Sequence, residues 1–226
     1  MFYNIFMIDV KDSKGIFITA TGTDVGKTFV SALLVKKMRE QNVNCGYFKP
    51  VLSGAENIDG KLVPGDAKYI VETAKLSCTP ESCVSYMFEP AVSPHLASSD
   101  IKQEKILADY KSHSAMYDFI VVEGAGGIVC PLNLSDTPII MSDLIKLLGL
   151  DIIIVADAGL GTINSTVLTV EFAKQKGISV RGIILNNFDS ENYMHQDNKL
   201  SIEKLTGIKV IATVKKDAVD IGEINW

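Results

Sequence analysis

The sequence carries no surplus of positive charge: 22 Lys and Arg stand against 27 Asp and Glu, for a formal net charge of −5. Such a field does not attract nucleic acid or an anionic membrane surface, so neither is an expected partner, and an anionic ligand has to be held by local charges. Histidine is scarce, and the four cysteines, Cys45, Cys78, Cys83 and Cys130, form no CxxC pair and lie near no histidine at zinc-finger spacing. Buried or neutral thiols are therefore expected rather than a metal site. No apolar run approaches the roughly 20 residues that span a membrane. The apolar opening, 1–8, is interrupted by Asp9 and lacks a basic n-region and a small-residue cleavage site, so it does not read as a signal peptide. A cytoplasmic protein is the expectation that remains. Repeats, low-complexity tracts and Pro/Gly-rich linkers are missing too. With 226 residues, 47% of them hydrophobic, the chain reads as a single domain over 15–226, preceded by an extension, 1–14, to which the sequence assigns no role.

What is present is a recurrence of short, nearly continuous, β-branched runs: 15–20, 45–49, 118–123, 151–156, 180–186 and 208–214. Continuity rather than alternation suits strands covered on both faces, as in a parallel sheet. Between them lie stretches of helical spacing, 27–40, 67–75, 103–111, 139–148, 164–176 and 197–205. Strand and helix alternate, which predicts an α/β protein with helices on both sides of the sheet. In the first helix Val30, Leu33, Leu34 and Met38 share a stripe, with Lys36, Lys37, Arg39 and Glu40 largely opposite. The least regular stretches are 52–65 and 78–99.

The segment TATGTDVGKT, 19–28, joins the first strand run to the first helix. A turn opening into a helix presents unpaired backbone N–H groups and the positive end of the helix dipole to phosphate oxygens. Gly26 admits close backbone approach, Lys27 reaches β- and γ-phosphates, and the Thr28 hydroxyl can ligate magnesium. The usual GxxxxGK[ST] spacing is not met, since position 21 is Thr and the nearest upstream glycine is Gly22. The competing reading is an ordinary strand-to-helix turn with an exposed lysine.

In VVEGAGG, 121–127, a strand ends in a carboxylate and a glycine-rich turn. Ligands of parallel sheets bind beyond the carboxyl ends of the strands. Glu123 would then lie beside the phosphate loop as a magnesium ligand, with Gly124, Ala125 and Gly126 admitting nucleotide or substrate; otherwise it is a solvated glutamate before a tight turn. Lys49, in FKPVLSG, would add positive charge over a transferring phosphoryl group, although taken alone a surface lysine is the better reading. Asp66, in PGDA, either caps the helix beginning at Ala67 or completes with Thr28 and Glu123 an oxygen set suited to magnesium.

Together GTDVGKT, YFKPVLSG, the aspartate of PGDA, EPAVSPH, VVEGAGG, GTIN at 161–164 and LNN at 185–187 resemble, in order and spacing, the dethiobiotin synthetase family of ATP-dependent cyclo-ligases. The resemblance runs over nearly the whole chain after residue 14. It implies a three-layer P-loop NTPase fold with a mostly parallel central sheet, ATP and Mg2+ as cofactors, and a homodimer. It further implies that 7,8-diaminononanoate and CO2 form a carbamate, that ATP phosphorylates it, and that the second amine closes a ureido ring with release of ADP and phosphate. Lys27 and Lys49 would offset the repulsion between carbamate and triphosphate, with Thr23 beside them. By position, the nucleotide falls to Asp24, Val25, Gly26, Lys27, Thr28, Phe29, Asp66, Glu123, Gly124, Ala125, Gly126, Asn186, Asn187, Val214 and Lys215. The metal falls to Thr28, Asp66 and Glu123. Ser53, Gly161, Thr162 and Asn164 match substrate-binding positions, the last three at a helix N-terminus that holds the substrate carboxylate across the dimer interface.

Asp24 stands where many members carry glutamate and Ala20 where many carry glycine, changes that touch loop geometry. Pro94 and His95 match a loop near the substrate, but amine and carbamate chemistry has no need of an imidazole. His113 and His195 have no motif context and read as surface or internally satisfied positions. Two other ATPase classes share a related loop. ParA- and MinD-like switches carry an additional early loop lysine that is missing here, and cobyrinate-type amide synthetases carry a glutaminase domain for which this length leaves no room.

Overall fold

The structure is a computed structural model and describes residues 15–225; the extension 1–14 falls outside the described residues. From β1 (Gly15–Ala20) the chain enters α1 (Lys27–Glu40), returns as β2 (Cys45–Ser53), turns through a hairpin of β3 (Glu56–Ile58) and β4 (Lys61–Val63), and forms α2 (Gly65–Thr73). A 3-10 turn (Pro80–Cys83) precedes β5 (Val84–Phe88), the single-turn α3 (Pro94–Ala97) and α4 (Gln103–Ser114). Then follow β6 (Phe119–Glu123), a second hairpin of β7 (Pro131–Asn133) and β8 (Ile139–Ile140), α5 (Met141–Leu148), β9 (Ile152–Asp157), α6 (Thr162–Gln175), β10 (Val180–Asn186), α7 (Tyr193–Thr206) and β11 (Val210–Thr213).

Seven strands form one sheet in the order β11-β10-β9-β1-β6-β2-β5, and every pairing in it is parallel. Alternate residues of each strand feed two separate cores. Phe17, Phe48, Ile120, Val122 and Ile154 pack under α4 to α7. Ile16, Ile18, Tyr47, Val121 and Ile153 pack under α1 and α2. Both faces are thus apolar, which is why the strands read as unbroken hydrophobic runs. The three-layer α/β architecture expected from the sequence is the one observed. Because β1 lies between β9 and β6, chain order reverses beside it and a crevice opens beyond the strand ends, where parallel sheets place their ligands.

Several boundaries differ from the sequence reading. Residues 139–140, expected to open a helix, pair instead with β7, and α5 starts at Met141. The stretch 78–99 holds β5 and α3; β5 is an edge strand, half-buried along its whole length, so its VSYMF run lacks the all-apolar signature of the inner strands. Helix α1 buries Ser31, Ala32 and Val35 besides the expected stripe, because α2 and Ile221 of the C-terminal segment cover it as well as the sheet.

A candidate nucleotide and metal site beyond the strand ends

The loop after β1 takes left-handed backbone at Asp24 (φ 59°) and Gly26 (φ 91°), and Gly26 is the N-cap of α1 with no side chain closing the helix end. The first N–H groups of α1 are therefore left to a ligand. Aspartate visits this region more readily than a longer carboxylate, so Asp24 in place of glutamate fits the conformation. A Cβ at Gly26 would come within 2.1 Å of Asn186 Nδ2. That amide donates to the Val25 carbonyl at 3.1 Å and ties the loop to the end of β10. Its Oδ1 is buried without a hydrogen-bond partner, as is Ser53 Oγ at the end of β2. Thr19, Ser31, Ser85 and Ser142 also carry unpaired buried hydroxyls; what sets Asn186 and Ser53 apart is that both lie at positions the family resemblance implies for ligand contact.

Five side chains, Thr28, Tyr47, Lys49, Asp66 and Glu123, converge next to this loop. Glu123, 0% exposed, ends β6 and is the hub. Its Oε1 accepts from Thr28 Oγ1 at 2.8 Å and from Lys49 Nζ at 2.6 Å, and its Oε2 accepts from the Tyr47 hydroxyl at 3.1 Å. Lys49, 4% exposed, also meets Asp66 Oδ2 at 2.7 Å, so the surface-lysine reading fails. Asp66 does not cap its helix either: α2 begins at Gly65, Pro64 is the N-cap, and no side chain caps it. Burial works against the charge on Lys49, but Glu123 and Asp66 outweigh it and hold the pKa above the ordinary lysine value. For Asp66 burial pushes upward, and the Lys49 charge with hydrogen bonds from Lys49 and Thr28 brings the carboxyl below its usual range. Lys27 is buried and donates to the Gly22 carbonyl at 3.1 Å. Desolvation lowers its pKa, offset in part by Glu123.

A hydroxyl and two carboxylates are hard oxygen donors, and the Lys49 ammonium already occupies the carboxylate oxygens as a cation does, so the set suits magnesium. Among the described residues no three His, Cys, Asp or Glu come together. A metal held by Thr28, Asp66 and Glu123 would draw its other ligands from phosphate and water.

The remaining candidates line the same end of the sheet. Thr23 and Asp24 are exposed at the loop tip, and Val25, Thr28 and Phe29 are half-buried around it. Gly124 is buried, and a Cβ there would reach 2.9 Å from the Phe17 ring; Ala125 and Gly126 follow, Gly126 at φ 60°. Asn187 is exposed at φ 56° and donates to Asp157 Oδ2 at 2.7 Å, while Val214 and exposed Lys215 follow β11, with the Val214 carbonyl accepting from the Phe188 N–H. Gly161, at φ 89°, is the N-cap of α6, with Thr162 buried and Asn164 exposed. Asn164 lines a groove of about 520 Å³ with Thr21, Val129, Leu168 and Phe172.

Sequence reasoning missed Tyr47, whose apolar ring and strand position read as core. Burial and the Glu123 carboxylate push its phenol well above the ordinary range, so it stays a donor. His113 is internally satisfied, its Nε2–H donating to the Tyr47 carbonyl at 2.9 Å. The Cys78 sulfur lies 3.3 Å from that of Cys83, whose hydrogen bond lowers the half-buried Cys78 thiol to about 6.

An AAA-domain family matches residues 14–219. An ATP-dependent dethiobiotin synthetase BioD of Clostridium botulinum (strain 657 / Type Ba4) is 54% identical over 190 residues, 82% of this chain and 84% of the relative. A second, from strain Alaska E43 / Type E3, is 50% identical over 202 residues, 88% and 89% of the two chains. The chain belongs to the dethiobiotin synthetase family. Among solved structures, the MinC:MinD cell division complex of Aquifex aeolicus aligns with a TM-score of 0.57 at 14% identity, over 91% of this chain and 82% of that one. A ParA family ATPase of Chlorobium tepidum TLS gives 0.56 at 16%, over 91% and 86%. At such identities the likeness shows the P-loop NTPase fold alone, and it lends the switch reading no functional support. ATP use follows from membership of the synthetase family.

Proposed function

We propose that this synthetase-family chain joins 7,8-diaminononanoate to CO2 at the expense of ATP, as a homodimer of the cytoplasm, and that the residues gathered around Glu123 carry the reaction. The observation that carries the reading is the buried Lys49 ammonium, clamped between Glu123 and Asp66 at the end of β2 next to the Thr28 hydroxyl.

One amine of the diamine and CO2 give a carbamate. The carbamate oxygen attacks the γ-phosphorus of ATP and ADP leaves. The second amine then attacks the carbamoyl carbon, the carbon–oxygen bond to phosphate breaks, and the ureido ring closes. Both partners of the phosphoryl transfer are anions, so their approach needs positive charge fixed in advance. Lys49 is held rigidly by two carboxylates for that task, and Lys27 stands on the first turn of α1. The N–H groups after Gly26 receive the phosphates, and Thr23 lies at the loop tip facing the reacting groups. Asn186, with its unpaired Oδ1, is suited to accept from the adenine amino group, beside Asn187, Val214 and Lys215. Magnesium, when bound, supplies further neutralisation of the developing charge.

Ser53, with its unpaired hydroxyl, contacts the diamine. The helix end at Gly161, Thr162 and Asn164 takes its carboxylate from across the dimer interface, with the N–H groups of Gly161 and Asn164 as donors, since that of Thr162 is bonded to the Gly159 carbonyl. Support for the dimer comes from the apolar surface around that helix end: Leu160 is 93% exposed, Leu168 60% and Val129 52%, and the last two line the groove beside Asn164.

Phosphate release assayed with each component withheld in turn tests the reading. Release is expected to fall to background without diaminononanoate, bicarbonate or magnesium. Release indifferent to the diamine would replace it with a switch ATPase.

A further inference from the structure

Tyr47 and Lys49 are two residues apart on β2, so their side chains leave the strand on the same face. Tyr47 is in register with Val121 of the neighbouring β6; Val121 shares the α1/α2 side of the sheet with Tyr47 and Ile18, and Glu123, two residues on, leaves β6 on the same face. The two β2 side chains therefore reach the same carboxylate from successive rungs of the ladder. Lys49 takes Oε1 at 2.6 Å and Tyr47 takes Oε2 at 3.1 Å. Thr28 also binds Oε1, so among the described residues the tyrosine hydroxyl is the one donor on Oε2.

The tyrosine is itself held from behind. Its backbone carbonyl accepts from His113 Nε2. The His113 ring packs against Phe48 at 5.9 Å and against Tyr117 at 5.3 Å. Tyr117 in turn fills the space over Gly46, where a Cβ would approach its ring to 2.4 Å. A chain of contacts thus runs from α4 through the backbone of β2 to a buried carboxylate.

We infer that Tyr47 is a positioning residue for the metal. By occupying Oε2 it fixes the rotation of the Glu123 carboxylate, with Oε1 turned toward Thr28 and Lys49, the side on which a cation would be held. The inference rests on the magnesium-ligand role proposed for Glu123. Hydrogen bonds that orient a metal ligand characteristically contribute ten- to a hundredfold to metal affinity, and without the phenol hydroxyl the carboxylate is free to turn about its last torsion.

The test is Mn2+ binding to the full chain with a non-hydrolysable ATP analogue, followed by electron paramagnetic resonance, in the wild type, Tyr47→Phe and Glu123→Gln. Tyr47→Phe is expected to raise the Mn2+ Kd about tenfold and to raise the Mg2+ concentration for half-maximal turnover in parallel. Affinity for the analogue without metal stays at the wild-type value, and kcat recovers at saturating Mg2+, as for a loss confined to metal binding. Incorporation of 3-fluorotyrosine at position 47 keeps a hydroxyl donor and is expected to restore the wild-type Kd, which separates the hydroxyl from the packing of the ring. A lower melting temperature for Tyr47→Phe with an unchanged Mn2+ Kd would overturn the inference and leave Tyr47 a core residue. If Glu123→Gln weakens Mn2+ binding while Tyr47→Phe does not, the Tyr47 role alone fails. If neither does, the metal-ligand role of Glu123 fails with it.

Discussion

Replacing Lys49 with methionine is expected to lower turnover by about 10²–10³-fold and, in the absence of metal and nucleotide, to lower stability by about 3 kcal/mol. The two effects have one origin. Glu123 is completely buried and relies on Lys49 for its direct ion pair, so methionine leaves an anion in the interior whose hydrogen bonds, among the described residues, come from the Thr28 and Tyr47 hydroxyls. Removing one member of a buried pair costs more than the pair is worth. Asp66 adds less to this figure because its carboxylate is partly open to water. The sign of the pH dependence follows from the raised pKa of Lys49. The folded state binds the proton more tightly than the unfolded one, so the contribution is complete at neutral pH and is lost only as pH rises beyond the ordinary lysine value. Urea titration at neutral pH and at high pH reads both consequences. A variant with wild-type stability would show that the Glu123 charge does not depend on Lys49, and one with near-normal turnover would remove Lys49 from the reaction.

Lys27→Met is expected to match that loss of turnover, about 10²–10³-fold, with stability changed by no more than about 1 kcal/mol. Burial already disfavours the Lys27 charge, and among the described residues its ammonium donates one hydrogen bond, to the Gly22 carbonyl. Its lowered pKa means that protonation weakens the fold rather than supporting it, so methionine removes no native-state stabilisation of consequence. The cost is expected instead in the proposed phosphoryl transfer, where Lys27, a cation on the first turn of α1, would meet the β- and γ-oxygens. Two lysines in one site thus separate by chemistry: one change affects turnover and fold together, the other turnover alone. Comparable destabilisation in both variants would contradict that separation.

The inner sheet was legible because both its faces are covered. Strands β1, β6, β9 and β10 carry side chains to two cores, and residues apolar on both sides leave an unbroken run that no other element of this length leaves. Edge strand β5 and the two hairpins were not legible: β5 is half-buried throughout and takes its place from β2, distant in sequence, and the hairpin strands are two- and three-residue pieces too short to show a period. At the site, the Gly26–Lys27–Thr28 turn and Glu123 announce themselves through local geometry: a glycine where φ is positive, a carboxylate where a strand ends. Lys49 and Asp66 remained ambiguous because their meaning lies in their meeting across 17 residues of chain. Tyr47 gave no local signal at all; only the pairing of β2 with β6 carries its hydroxyl to Glu123.

Oxygen transfer tests most directly whether the phosphate cradle serves synthesis. The enzyme is supplied with ¹⁸O-labelled CO2, diaminononanoate and ATP in unlabelled water, and the phosphate is analysed by mass before the label exchanges. If a carbamate oxygen attacks the γ-phosphorus and is later expelled from carbon, the released phosphate carries a single labelled oxygen derived from CO2, and the ureido carbonyl carries the other. Phosphate whose new oxygen comes from solvent water would contradict this and reduce the chain to an enzyme that only hydrolyses ATP.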